Sequence, residues 1–293
     1  MVIKITNDTT TLNGALTELG ETLADNLTTQ GVTASASDGL TTLAEKILDI
    51  QGGGGDEIVT FDNITTEFNY LKKRGNYGFS VNIPSGVTSL GTDCFNGCSG
   101  LTSVTIPSGV TSLGNSCFNG CSGLTSVTIP SGVTSLGNNC FSSCTGLTSV
   151  TIPSGVTSLG NNCFSSCSSL TSVTIPSGVT SLGNNCFSSC TGLTSVTIPS
   201  GVTSLGNNCF SSCSSLTSIT IPSSVTSLGD SCFFYCSNLT SITFSRQTPP
   251  TAGRICFYNL PTNCVIRVPS GSLSAYTSAN NYPSSSTYTY TEY

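Results

Sequence analysis

The feature that most limits what this chain can fold into is a 23-residue period. Units start at Ile83, Ile106, Ile129, Ile152, Ile175, Ile198 and Ile221, each close to I-P-S-G-V-T-S-L-G-x-x-C-F-x-x-C-x-x-L-T-S-V-T. A period in the twenties builds a solenoid, because one unit cannot bury its apolar face alone and must stack on its neighbours. In the third unit Leu147, Val150 and Ile152 alternate as a strand, and Val133 and Leu136 supply a second, shorter one. Pro130 and Gly132 turn the chain, while Cys140, Phe141 and Cys144 fit one inward-facing helical turn. Stacked at about 4.8 Å per coil, the seven units of residues 83–243 would span about 34 Å.

Charge is nearly absent from this array. Residues 94–229 contain no Asp, Glu, Lys, Arg or His, residues 1–93 net −7, and residues 230–293 net +1, within an overall charge of −6. Charged residues are 8% of the chain, against roughly 25% in an ordinary soluble domain, so Ser, Thr, Asn and Gly make the polar surface. The basic residues cluster only at Lys72, Lys73 and Arg74, which read as a solvated loop. A nucleic-acid partner is therefore not expected. Without His, and with no titratable acid or base through the array, general acid–base chemistry lacks its groups, so no enzyme is read here.

Ahead of the repeats the pattern is different. Leu12, Leu16, Leu19, Leu23 and Leu27 line one helical face, and Leu40, Leu43, Ala44, Ile47 and Leu48 line another after a start capped by Ser37 or Asp38. Residues 1–51 thus read as a helical hairpin, whose leucine face over residues 8–50 needs a partner and is expected to make the chain a homo-oligomer or part of a larger assembly. Gly52, Gly53, Gly54 and Gly55 form a flexible tether. Residues 56–82 are strand-like and read as an N-terminal β cap. Residues 1–11 lack the charged start and apolar run of a secretory signal, and no stretch approaches the roughly 18 apolar residues of a membrane span. An extracellular location would then mean export by another route, a signal already removed, or arrival outside the cell as part of a virus particle.

The repeat resembles the BspA-type leucine-rich repeat of bacterial, protist and phage surface proteins, close to I-P-x-S-V-T-S-I-G-x-x-A-F-x-x-C-x-x-L-T-S-V-T. The tail resembles that family's C-terminal cap: Thr248-Pro249-Pro250, then Cys256-Phe257, then Val265-Ile266-Arg267-Val268-Pro269, with a short helix over residues 272–279. This makes residues 244–293 the closing cap. The array departs from the family in placing Cys where Ala is usual. Residues 1–57 are similar to helical segments that precede fibre-like modules in phage structural proteins. The resemblance implies a mostly β solenoid of seven coils with β caps, and extracellular adhesion or ligand recognition without a cofactor.

Fourteen of the sixteen cysteines fall in pairs four apart: Cys94 and Cys98, Cys117 and Cys121, Cys140 and Cys144, Cys163 and Cys167, Cys186 and Cys190, Cys209 and Cys213, Cys232 and Cys236. On a helical turn such pairs lie within disulfide range, about 6 Å at Cα, but their side chains run parallel and do not converge. Metal sites normally draw on His or on C-x-x-C knuckles, and this chain has neither pattern. Two columns of buried thiols along the core are expected.

Outward positions are candidates for ligand contact. Ser103 and Thr105, with their counterparts in each later unit, give hydroxyl columns that could meet a polysaccharide or another cell-surface ligand; equally, they could only solubilise the sheet. Tyr276, Tyr282, Tyr288, Tyr290 and Tyr293 gather at the C-terminus as a recognition tip or a final cap strand. Units 129–151 and 175–197 are identical. Such monotony suits a repetitive surface or a spacer better than a unique pocket.

Overall fold

The computed structural model describes residues 57–60, 78–83 and 85–293. The helical hairpin, the glycine tether and the basic triplet lie outside those residues. Alternating short runs of Ser, Thr and branched apolar residues form strands that stack coil on coil in two faces. One face carries β1 (Glu57–Thr60), β2 (Phe79–Asn82), β4 (Leu101–Thr105), β6 (Ser126–Thr128), β8 (Ser149–Thr151), β10 (Ser172–Thr174), β12 (Ser195–Thr197), β14 (Ser218–Ile221), β16 (Ser241–Phe244), β18 (Val265–Val268) and β19 (Thr289–Glu292). The other carries β3 (Ser89–Leu90), β5 (Ser112–Leu113), β7 (Ser135–Leu136), β9 (Ser158–Leu159), β11 (Ser181–Leu182), β13 (Ser204–Leu205), β15 (Ser227–Leu228) and β17 (Thr251–Ala252).

Every pairing is parallel, and register follows the sequence period: Val127 faces Val150, Val173 faces Val196, and Leu182 faces Leu205. The first face runs as three ladders, with β4 beside β6 and β12 beside β14 at the joints. At the second joint the Thr217 N–H donates to Thr194 O at 3.4 Å. Both ends continue the coil with altered spacing. Ile58 pairs with Ser80, a step shorter than the period, whereas Ile266 pairs with Ile242 on one side and Tyr290 on the other, each a step longer than it. The C-terminal segment therefore extends the solenoid, and one short helix, α1 (Leu273–Thr277), lies in the connection between its last two strands, β18 and β19.

The third edge of each coil differs from the helical turn expected for Cys140, Phe141 and Cys144. Asn139 and Ser143 take left-handed conformations, φ 55° and 58°, and every coil repeats the pair. The N–H groups then alternate. Those of Asn139, Phe141 and Ser143 donate to Asn161, Cys163 and Ser165 of the next coil at 2.7–2.8 Å, while those of Cys140, Ser142 and Cys144 close local turns at 3.1–3.3 Å. A helix would satisfy only its own backbone; this turn edge also binds the neighbouring coil. Left-handed residues are tolerable because Asn, Asp, Ser and Gly occupy these positions from Asp93 to Ser231.

Close approach of coils also fixes one glycine. A Cβ at Gly160 would lie 2.6 Å from Asn138 N and 2.7 Å from Gly137 C, both backbone atoms that cannot move aside. Inside, Val156, Phe141 and Leu147 are fully buried, and with their counterparts they form one continuous core from Phe79 to Tyr276, with Val87 of the first unit partly buried against it.

Candidate functional site

Three ladders run the length of the array, and together they define what surface it can offer. The innermost is aromatic. Phe95, Phe118, Phe141, Phe164, Phe187, Phe210, Phe233 and Phe257 stack in sequence, with centroids 5.1–5.8 Å apart and planes within 3–12° of parallel. The fixed coil spacing imposes this geometry.

Beside it stand the thiols. All sixteen cysteines are buried, and no disulfide joins them among the described residues. From the second pair onward, the second cysteine has a defined bond: Cys121, Cys144, Cys167, Cys190, Cys213 and Cys236 donate their S–H to the carbonyl of a phenylalanine in the preceding coil, at 3.0–3.1 Å. Desolvation pushes the Cys140 and Cys190 thiols up to about 12, so they stay protonated near neutrality. Cys94 is instead held below its usual value by a hydrogen bond with the Cys117 thiol. Among the described residues no group of acids, thiols or imidazoles is arranged to hold a metal ion.

The third ladder is on the surface and the sequence motif does not announce it. The Asn138 N–H donates to Asn115 Oδ1, and the same step recurs from Asn161 to Asn138, Asn184 to Asn161, Asn207 to Asn184, Asp230 to Asn207 and Arg254 to Asp230, all at 2.7–2.8 Å. The signal available in sequence was only the first x of G-x-x-C, which is Asn or Asp in these units.

Ser103 and Thr105 are exposed on β4, and Ser103 Oγ donates to Ser80 Oγ at 2.9 Å. Nearby threonine hydroxyls turn back to the backbone: Thr148, Thr194 and Thr240 donate to threonine carbonyls one coil before them. The outward columns are thus real, uncharged and partly engaged in holding coils together.

The five C-terminal tyrosines come together as the closing layer of the core. Tyr276, Tyr282, Tyr288, Tyr290 and Tyr293 donate their hydroxyls to the carbonyls of Arg246, Pro250, Leu260, Pro283 and Phe244 respectively. Tyr276 is wholly buried against Phe244 and Tyr282, which corrects its expected place in a ligand contact: its ring packs where the last coil needs apolar volume. Tyr293 remains 59% exposed. Tyr288 and Tyr290 line a shallow groove of about 580 Å³ beside α1. Sequence reasoning missed the other aromatic group, Phe234, Tyr235 and Tyr258, which lies on the turn edge with Tyr235 and Tyr258 exposed.

Parallel strands in 23-residue register, a stacked aromatic core and a closing cap define a leucine-rich-repeat solenoid, a fold that typically serves as a non-catalytic scaffold. The model of the BspA type leucine rich repeat region matches residues 77–194 and 157–284 in six copies, and the chain belongs to that family. A leucine-rich repeat protein from Bacteroides ovatus ATCC 8483 shares the fold with a TM-score of 0.64 and 29% identity, over 72% of this chain and 55% of that one. The chain thus spans about half the length of that relative. A leucine rich cell surface protein from Faecalibacterium prausnitzii A2-165 is similar at 25% identity and a TM-score of 0.42, over 80% of this chain and 63% of the other. A leucine rich repeat protein of T. pallidum is similar at 28% and 0.48, over 63% and 78%. No curated protein matches the sequence.

Proposed function

We propose that this chain is a non-catalytic recognition protein, displayed on a cell surface or on a virion, that presents its solenoid to a host surface or glycan. The observation that carries this reading is the contrast between array and ends. Coil after coil repeats one uncharged hydroxyl and amide surface over a rigid core, while departures from the repeat collect at the C-terminal end. The rows headed by Ser103 and Thr105, and the exposed Tyr293, belong to the contact surface in this reading. Residues 8–50 assemble or anchor the protein, and the glycines that follow give it reach. Among the described residues no helix is long and apolar enough to cross a membrane.

A second reading follows from the identity of units 129–151 and 175–197: the array is a spacer in a self-assembling subunit. A unique ligand site needs unlike neighbours, and the coils flanking these two differ from them at only a few positions, mostly Ser, Thr, Asn and Gly. Binding of the purified chain to intact bacterial and mammalian cells, together with a glycan panel, separates the two. Saturable binding supports recognition; concentration-dependent filaments with no binding support the spacer. Comparing the oligomeric state of the intact chain with one lacking residues 1–55 tests the assembly role, which fails if both are monomeric.

A further inference from the structure

The turn edge changes character where it ends. After the core phenylalanine most coils place Asn96, Asn119, Ser142, Ser165, Ser188 or Ser211, but the last two place Phe234 and Tyr258, which stack at 5.4 Å with planes 17° apart. Tyr235 leans on both, at 4.5 and 6.1 Å. Tyr235, Tyr258 and Ile255 are 45%, 54% and 54% exposed. An aromatic cluster on an otherwise hydroxyl surface contributes nothing to the core that the buried ladder does not already supply.

Two of these residues also defy their backbone. Ile255 sits at φ 48° and Tyr235 at φ 58°, positions that other coils give to Asp, Asn, Ser or Gly. A β-branched residue in the left-handed region is strained, and such strain is kept where a site requires it.

The backbone gives the end a sign. Along this edge each coil donates three N–H groups forward to the next, from Asp93, Phe95 and Gly97 through to Ser231, Phe233 and Tyr235. The peptide unit joining Cys140 to Phe141 accepts from Phe118 and donates to Cys163, so its dipole lies along the solenoid axis, as do those of its counterparts. Three such chains resemble the three hydrogen-bond chains of an α-helix, with the positive end here at the C-terminal coil. There the N–H groups of Ile255, Phe257 and Asn259 find no acceptor among the described residues. Arg254, exposed, precedes them.

We propose that this end of the turn edge, built from Phe234, Tyr235, Ile255 and Tyr258 beside Arg254, binds an acidic sugar of a surface polysaccharide. The sugar ring lies on the tyrosine rings, and its carboxylate meets the unpaired N–H row and Arg254. This assignment rests on the recognition reading above and gives it a place and a ligand class. A neutral sugar would use the rings alone; a carboxylate uses the positive end as well.

Immobilised polygalacturonate and its carboxyl-reduced form, with sialyllactose and lactose as a second pair, test it on the full chain. Expected is binding to an acidic member at least about tenfold tighter than to its neutral partner, reduced about tenfold or more in Y235S/Y258S. Those serines are the array's own residues at the equivalent positions, so thermal unfolding of the variant reports whether it folds. R254Q should weaken binding and flatten its salt dependence. Equal binding to acidic and reduced forms, or undiminished binding by folded Y235S/Y258S, overturns the proposal. So does binding to intact cells with neither acidic probe recognised, which leaves the recognition reading standing. Failure to bind cells and probes alike removes both.

Discussion

Cys167 donates its S–H to the carbonyl oxygen of Phe141, one coil away, at 3.1 Å. That oxygen also accepts the Cys144 N–H at 3.3 Å, so the thiol fills a second lone pair inside the core. Cys167→Ala should therefore lose a donor and some volume, at a cost of about 1–2 kcal/mol in urea unfolding. A loss no greater than that of an exposed Thr157→Ala control would show that the bond contributes nothing.

Phe164 lies mid-ladder with rings at 5.5 Å on both sides. Its truncation to Ala opens a cavity shared by three coils and should cost about 3–5 kcal/mol. Because neighbouring coils stabilise each other, the unfolding transition should also broaden or split. Circular dichroism against denaturant measures both effects.

Thiol chemistry should be silent through neutral pH. Burial raises Cys140, Cys190 and Cys236 from 9.0 to about 12, favouring the protonated form in the folded chain. A group raised on folding contributes stability that is complete below its unfolded value and is lost as pH climbs through the folded one. Melting temperature should hold steady up to about pH 9 and fall between there and about pH 12. In the native state at mildly alkaline pH, iodoacetamide should modify Cys94 first, because the Cys117 thiol stabilises its thiolate. Mass spectrometry of the labelled peptides decides it.

Asn161 is exposed, yet its Oδ1 receives the Asn184 N–H at 2.8 Å while its own N–H goes to Asn138. Asn161→Ala should cost about 1 kcal/mol, more than a surface change usually does, and speed hydrogen exchange at Asn184. Exchange at Asn184 unchanged by the substitution would deny the ladder a structural role.

The solenoid was legible in the chain because its period repeats every contact. Once Leu147, Val150 and Ile152 are placed inward, their counterparts in every other coil must follow, and the core, the parallel register and the buried cysteines come with them. Hydrophobic periodicity does not record which backbone group bonds to which coil. The Cys140 to Cys144 segment therefore reads as a helical turn, whereas stacking makes it an edge that donates forward, through left-handed residues that Asn and Ser permit. The Asn ladder is equally silent in sequence, since an amide in a motif gives no hint of the N–H it accepts.

At the C-terminus the tyrosines look alike as letters. Only the closing geometry decides that Tyr276 fills the core while Tyr235 and Tyr258, outside that group, face solvent. Sequence by itself determined the period, the apolar positions and the charge-free surface, because these depend on residue type and spacing. Tertiary structure decided the direction of the turn-edge hydrogen bonds, their unpaired end and the aromatic cluster beside it, because these arise only when one coil meets, or fails to meet, the next.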